Sequence, residues 1–93
     1  MLESTIQHKI CVQLKALGYM TVKCNLMSIP GFPDLIVLGN HGDLFFIECK
    51  QKGKKPTRLQ EHVHGKLRER GFKVYVLDST TLPEELTNKT TRS

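Results

Sequence analysis

Residues 33–50 read PDLIVLGNHGDLFFIECK, and the architecture of the chain follows from this segment. It contains two short apolar runs, 35–38 and 44–47, separated by Gly39-Asn40-His41-Gly42-Asp43, which is typical of a turn. The first run is apolar on both faces, as expected of a central strand that is covered on each side. The segment therefore predicts an antiparallel hairpin inside a sheet.

Closing this hairpin about a tip near His41 places Asp34 opposite Glu48, give or take one residue. Glu48 and Lys50 share a face because they are two residues apart, whereas Cys49 points into the core and leaves its carbonyl near the carboxylates. Carboxylate and carbonyl oxygens with water are ligands that Mg²⁺ or Mn²⁺ prefers, so Asp34, Glu48 and the Cys49 carbonyl form a candidate metal site. Taken singly, Asp34 could instead simply terminate a strand, and Glu48 with Lys50 could be an exposed ion pair.

The elements on both sides of the hairpin are predicted from periodicity and from Gly and Pro punctuation. The second helix has a specific start signal, because Thr57-x-x-Gln60 is a capping box. The predicted elements are a helix over 2–17, a strand over 19–25, a loop over 26–33, a basic loop over 51–56, a helix from Thr57 to a stop at Gly71, and a strand over 72–77. The apolar faces are expected at Met20, Val22 and Cys24 in the first strand and at Leu59, Val63 and Leu67 in the second helix.

The element order α-β-β-β-α-β predicts an α/β protein with a small mixed β-sheet flanked by helices. A chain of 93 residues indicates one small domain, assigned to residues 1–78, and the polar segment 79–93 is expected to be a loosely packed tail. No apolar run is long enough to cross a membrane, so no membrane association is expected. Because so short a chain has a thin core, a homodimer is a reasonable way to bury more apolar surface.

Positive charge is concentrated in one quarter of the chain. The formal net charge is +5, and residues 51–73 hold eight Lys or Arg against two Glu, which points toward a polyanionic partner. A solvated helix face that only keeps the protein soluble is the alternative interpretation of the same charges. The residues expected to contact DNA are Lys52, Lys54, Lys55, Arg58, Lys66 and Gln7.

The cysteines and histidines give weaker signals. The three cysteines, with no CxxC pair, are interpreted as reduced core thiols, which predicts a cytoplasmic protein, in the host cytoplasm if a phage encodes it. The histidines lack a credible zinc-ligand spacing and are interpreted as surface or satisfied, partly buried side chains. The residues concerned are Cys11, Cys24, Cys49, His8, His41, His62 and His64.

Taken together, the motifs resemble the VRR-NUC group (virus-type replication and repair nucleases) of the PD-(D/E)xK superfamily. The resemblance extends over most of the chain, and its motifs occur in the family's order. They are Glu3-x-x-Ile6-Gln7, Gly31-Phe32-Pro33-Asp34-Leu35, Ile47-Glu48-Cys49-Lys50 and Thr57-x-x-Gln60.

This resemblance implies a restriction-endonuclease-like core and phosphodiester hydrolysis dependent on Mg²⁺ or Mn²⁺, with no organic cofactor. It also implies that Asp34, Glu48 and Lys50 are the catalytic set, that Glu3 lies at the edge of the site, and that Gln60 contributes from the second helix. Two helix signals compete with the last two roles. Ser4-x-x-Gln7 could be a capping box that leaves Glu3 in a frayed end, and Gln60 as a capping residue is not expected to serve the site as well.

The resulting hypothesis is a metal-dependent DNA endonuclease that is selective for DNA structure. Stand-alone members of the family are linked to junction resolution, which favours a homodimer that cuts four-way (Holliday) junctions in repair or recombination. The alternatives are a non-catalytic nucleic-acid-binding protein of the same fold and a flap or single-strand nuclease. Besides the helices, the candidate interface residues, which could equally touch DNA, are Leu26, Met27, Ile29 and Phe32.

Overall fold

The computed structural model describes residues 1–24 and 28–87, and a four-stranded sheet between helices organises them. The predicted order α-β-β-β-α-β is confirmed, and a short helix that was not predicted follows it. The elements are α1 Glu3–Ala16, β1 Met20–Lys23, β2 Leu35–Leu38, β3 Leu44–Cys49, α2 Arg58–Glu69, β4 Lys73–Leu77 and α3 Glu84–Thr87.

The sheet has the strand order β1-β2-β3-β4 and is mixed, as predicted. β1, β2 and β3 pair antiparallel, whereas β4 runs parallel to β3. A parallel pair needs a long crossover connection, and α2 supplies it. All residues of β3 after Leu44 are buried, so β3 rather than β2 is the strand covered on both faces.

α1 covers one face of the sheet and α2 covers the other. Beneath α1, Ile6, Ile10 and Leu14 form the core with alternate residues of β2 and β3. On the opposite face α2 buries Val63, and Phe46 makes edge-to-face ring contacts there with two further aromatic rings, at centroid distances of 5.5 and 5.6 Å. The two rings belong to Phe32 and Phe72.

The expected loose packing after Asp78 is wrong for the first part of that segment. Leu82 and Leu86 are buried in the same core cluster as α1, and the Gln13 side-chain amide donates to the Thr80 carbonyl at 2.6 Å. Two apolar side chains within a Thr- and Ser-rich segment are enough to dock it against the helix. Residues 88–93 lie outside the described residues, and the domain boundary after residue 78 stays a prediction.

The predicted apolar faces of β1 and α2 are only partly correct. Met20 is 63% exposed and Val22 is 42% exposed, because β1 is an edge strand and α2 lies over the strands at the other side of the sheet. Leu59 is 51% exposed and lies in the first turn of α2, next to Gly31. Of the predicted loop residues, Leu26 and Met27 lie outside the described ranges.

Within residues 1–24 and 28–87, no helix has the length and apolar character that crossing a bilayer requires.

Candidate active site

The hairpin register brings two carboxylates together at one end of β2 and β3. Leu35 pairs with Ile47, so the next position along the ladder sets Asp34 opposite Glu48, as predicted. The Cys49 N–H donates to Asp34 Oδ2 at 2.8 Å, which fixes one oxygen of that carboxylate. The backbone of β3 therefore orients the Asp34 side chain toward Glu48.

The regular pairing of β2 with β3 ends at Leu35, just after Pro33 and Asp34. The Asp34 carbonyl accepts from Cys24 N–H at 2.8 Å, so the backbone groups of Asp34 face β1 and those of Pro33 face β3. Pro33 lies before the first paired residue of β2, Leu35, and proline has no N–H to donate to β3. The Cys49 carbonyl consequently has no ladder donor from this strand and is available as a backbone ligand.

Glu48 is 98% buried, and polar side chains surround both of its carboxylate oxygens. Gln60 Nε2 donates to Oε2 at 3.2 Å, and Lys50 Nζ lies 3.9 Å from the same oxygen. Burial and then the negative charge of Asp34 raise the Glu48 pKa to about 8, although Lys50 acts in the opposite direction. Without a cation, this site therefore favours a protonated Glu48.

The donor set fits a hard divalent cation. Glu48 Oε1 has no hydrogen-bond partner, and the repulsion that raises the Glu48 pKa is relieved when a positive charge lies between the two carboxylates. Burial and then the Asp34 charge raise the pKa of the Cys49 thiol to about 12, so its carbonyl and not its sulfur is the candidate ligand. The described residues contain no group of three or more His, Cys, Asp and Glu side chains suited to a metal, so backbone and water would have to complete the coordination of any cation held here.

Gln60 does two things at once, and the expectation that it could not is wrong. Its Oε1 accepts from the Thr57 N–H at 2.9 Å and completes the predicted capping box at the start of α2. Its Nε2 simultaneously donates to Glu48 Oε2. A primary amide has an acceptor end and a donor end, and here each end serves a different structure.

The N-terminus of α1 also lies near the site. The helix begins at Glu3 with Leu2 as its N-cap residue, so the alternative capping box at Ser4 is wrong. After burial and Asp34, the charge of Glu3 is one of the smaller causes of the raised Glu48 pKa, which places Glu3 within electrostatic range. Gln7 is half-buried and follows on the next turn of α1.

The five basic residues predicted to contact DNA are all exposed. The loop that carries Lys52, Lys54 and Lys55 is held to the end of β4, because the Gly53 N–H donates to Asp78 Oδ2 at 3.0 Å. The other basic side chains of residues 51–73 are engaged within the protein: Arg68 and Arg70 donate to backbone carbonyls, and Lys73 lies 3.6 Å from Glu85. The exposed five are Lys52, Lys54, Lys55, Arg58 and Lys66.

His64 is the residue of this site that the sequence interpretation missed. It is only 1% exposed, and its Nε2 lies 3.5 Å from Glu48 Oε1. Burial and then the positive charge of Arg68 lower its pKa, which favours the neutral imidazole. Its position four residues after Gln60 was the available signal, because residues at that spacing lie on the same face of a helix.

Comparisons with known proteins agree with the fold and with a nuclease family. No family model matches the sequence. The chain is 34% identical over 80 residues to a curated protein of Acyrthosiphon pisum secondary endosymbiont phage 1 named "Putative nuclease p44", and the match covers 86% of each chain. A solved structure described as a VRR_NUC domain matches 97% of this chain and 95% of its own, with a TM-score of 0.77 and 27% identity.

Proposed function

Because the chain belongs to the VRR-NUC family of nucleases, we propose that it is a divalent-metal-dependent DNA endonuclease whose catalytic residues are Asp34, Glu48 and Lys50. The observation that carries this proposal is the pair of carboxylates at the ends of two adjacent strands, with an ammonium group beside them. A protein that only binds nucleic acid needs cations on its surface, but it has no use for two carboxylates so close that one is favoured in its protonated form.

Asp34, Glu48 and the Cys49 carbonyl would hold the cation. Bound there, Mg²⁺ or Mn²⁺ would supply charge neutralisation for a non-bridging phosphate oxygen and would acidify a water molecule. The protein contributes orientation, because the Cys49 N–H fixes Asp34 and the Gln60 amide fixes Glu48. Glu3, at the start of α1, would add a negative charge at the edge of the same site.

Lys50 would act on the water and on the developing charge. Its side chain is largely buried and its Nζ lies 3.9 Å from Glu48 Oε2, so the ammonium is held at the site and does not sweep through solvent. An ammonium in this position can orient the attacking water and stabilise negative charge on the phosphate as it develops.

A nicking assay on supercoiled DNA with Mg²⁺ or Mn²⁺ tests the proposal. Asp34→Asn keeps an acceptor for the Cys49 N–H but removes the charge, so we expect a folded protein with at least a 100-fold loss of rate, on the order expected for losing a metal ligand. Glu61→Gln, an exposed change of charge on α2, is the matched control. Equal nicking by wild type and Asp34→Asn would support the alternative, a non-catalytic nucleic-acid-binding protein of this fold.

We propose further that the DNA strand passes over the exposed basic residues around the loop at 52–58. Lys52, Lys54, Lys55 and Arg58 lie between the end of β3 and the first turn of α2, which are the two elements that carry Glu48 and Gln60. Phosphates bound along this loop would lead the backbone to the carboxylates. Lys66 on α2 and Gln7 on α1 are the outlying members of this proposed DNA surface.

The assembly is proposed to be a homodimer that acts on four-way junctions. The exposed apolar side chains of the edge strand β1 support this, because Met20 and Val22 can be covered by a second copy. Of the interface residues suggested by the sequence, Ile29 is exposed, whereas Phe32 packs on Phe46.

Sedimentation at micromolar concentration tests the dimer. Wild type and Val12→Lys, a substitution of an exposed apolar residue on α1, should sediment as dimers, whereas Val22→Lys should give monomers. Cleavage of a mobile four-way junction is then compared with cleavage of a flap substrate. A wild-type monomer that prefers the flap would refute the junction proposal and would favour the alternative, a flap or single-strand nuclease.

A further inference from the structure

Two buried polar atoms beside the carboxylate pair face each other without a hydrogen-bond partner. They are Glu48 Oε1 and His64 Nε2, which lie 3.5 Å apart on side chains that are 2% and 1% exposed. They are the only buried side-chain nitrogen or oxygen atoms without a partner in the part of the chain that the structure describes.

Leaving both atoms unpaired would destabilise the folded state, because a buried polar group without a partner has lost its hydrogen bonds to water and gained none in exchange. An imidazole that carries its proton on Nε2 can donate to Oε1 after a small rotation of either side chain, and that one bond satisfies both atoms. If the His64 side chain only filled space between α2 and the sheet, an apolar side chain of similar size would stabilise the fold more.

The two oxygens of Glu48 are then held from two sides. Gln60 Nε2 and Lys50 Nζ both lie near Oε2, whereas His64 is the neighbour of Oε1. A carboxylate that is fixed at both oxygens has less rotational freedom to lose when a ligand binds. An oxygen that accepts one hydrogen bond still keeps a lone pair for a cation.

We propose that His64 is a positioning residue that holds the Glu48 carboxylate through an Nε2–H···Oε1 hydrogen bond and thereby strengthens cation binding by the site. The inference rests on the proposed function, since it assigns Glu48 to the cation. His64 itself contacts neither the phosphate nor the water in this proposal. Partners that orient a metal ligand in this way are typically worth 10- to 100-fold in metal affinity.

Calorimetric titration of the metal-free protein with Mn²⁺ provides a test that does not depend on cleavage. His64→Leu removes the donor but fills the space, and we expect its Mn²⁺ dissociation constant to rise about 10-fold or more while the fold is kept. His64→Gln retains an N–H donor and is expected to stay within about threefold of wild type, as rescue by a conservative variant requires. His62→Leu makes the same change at an exposed position of the same helix and should bind Mn²⁺ as wild type does.

A second measurement observes the hydrogen bond directly. A long-range ¹H–¹⁵N spectrum of the metal-free protein, recorded above the Glu48 pKa of about 8 so that the carboxylate is present, should show His64 as the Nε2–H tautomer. Glu48→Gln should shift that resonance more than it shifts His62. This measurement decides the hydrogen bond even if His64→Leu does not fold. A wild type that binds no Mn²⁺ would count against the metal dependence of the proposed function and would overturn the effect of His64 on cation binding, while the spectrum still shows whether the hydrogen bond exists. A folded His64→Leu variant with wild-type Mn²⁺ affinity, or an Nδ1–H tautomer at His64, would overturn the proposal.

Discussion

Replacing Glu48 by Gln is expected to change how the stability of the metal-free protein depends on pH. Burial and the neighbouring Asp34 charge raise the Glu48 pKa from 4.5 to about 8. The folded state therefore binds this proton more tightly than the unfolded state does, so the stabilisation is complete below pH 4.5 and is lost as the pH rises toward 8. Gln has no proton to lose, and this component of the pH dependence disappears in the variant.

The size of the effect follows from the shift of the Glu48 pKa. Each tenfold change in proton affinity corresponds to about 1.4 kcal/mol, so wild type should lose about 4 kcal/mol of unfolding free energy between pH 5 and pH 8 relative to Glu48→Gln. Urea unfolding in EDTA at both pH values measures this difference, because groups that titrate equally in the two proteins cancel. Glu61→Gln, which removes an exposed carboxylate on α2, is the matched control.

The result that would refute this reasoning is a difference between wild type and Glu48→Gln that is the same at pH 5 and at pH 8. It would mean that the folded protein does not restrict ionisation of Glu48 and that the two carboxylates do not repel each other. After the EDTA is removed, Glu48→Gln should be folded and should have lost Mn²⁺ binding by calorimetry, since the shape of the side chain persists and its charge does not. Undiminished Mn²⁺ binding would count against Glu48 as a ligand.

Three further outcomes are expected. Replacing Lys54 and Lys55 by Ala should reduce the slope of log K against log salt in DNA binding by roughly 0.9 for each phosphate that is no longer neutralised, and an unchanged slope would move the DNA path elsewhere. Thr57→Ala should destabilise the protein by about 1 kcal/mol through loss of the helix cap with Mn²⁺ affinity kept, whereas Gln60→Ala should also weaken Mn²⁺ binding; equal Mn²⁺ affinities would exclude a role for Gln60 at the carboxylate. Leu86→Ala should cost about 2 to 3 kcal/mol in urea unfolding, and a loss below about 0.5 kcal/mol would show that α3 adds nothing to the core.

The hairpin and the position of its carboxylates were predictable because residues close together in the sequence determine them. Two apolar runs joined by a glycine-containing turn fix the register, and the register fixes that Asp34 meets Glu48. The start of α2 was equally local, since Thr57 and Gln60 cap the helix as their spacing indicates. The roles of the site residues, unlike their positions, stay proposals until variants are measured.

What could not be predicted depends on contacts between elements that are distant in the sequence. Whether the apolar residues of β1 are buried depends on where α2 lies over the sheet, and periodicity within Met20–Lys23 carries no information about that. The burial of Leu86 likewise depends on docking against α1. The sequence predicts His64 only as a surface or partly buried histidine, because a single histidine carries no functional signal until the tertiary structure brings it to Glu48.

The two-ended amide of Gln60 has a consequence for how the protein can be observed. One end holds the Thr57 N–H and the other holds the Glu48 carboxylate, so the opening of the first turn of α2 and the state of the carboxylate are linked equilibria. A ligand that immobilises Glu48 steadies the amide and slows the fraying of that turn. Hydrogen–deuterium exchange at the backbone amides of residues 57–61 thus becomes a reporter of events at the carboxylates, readable in the absence of any substrate.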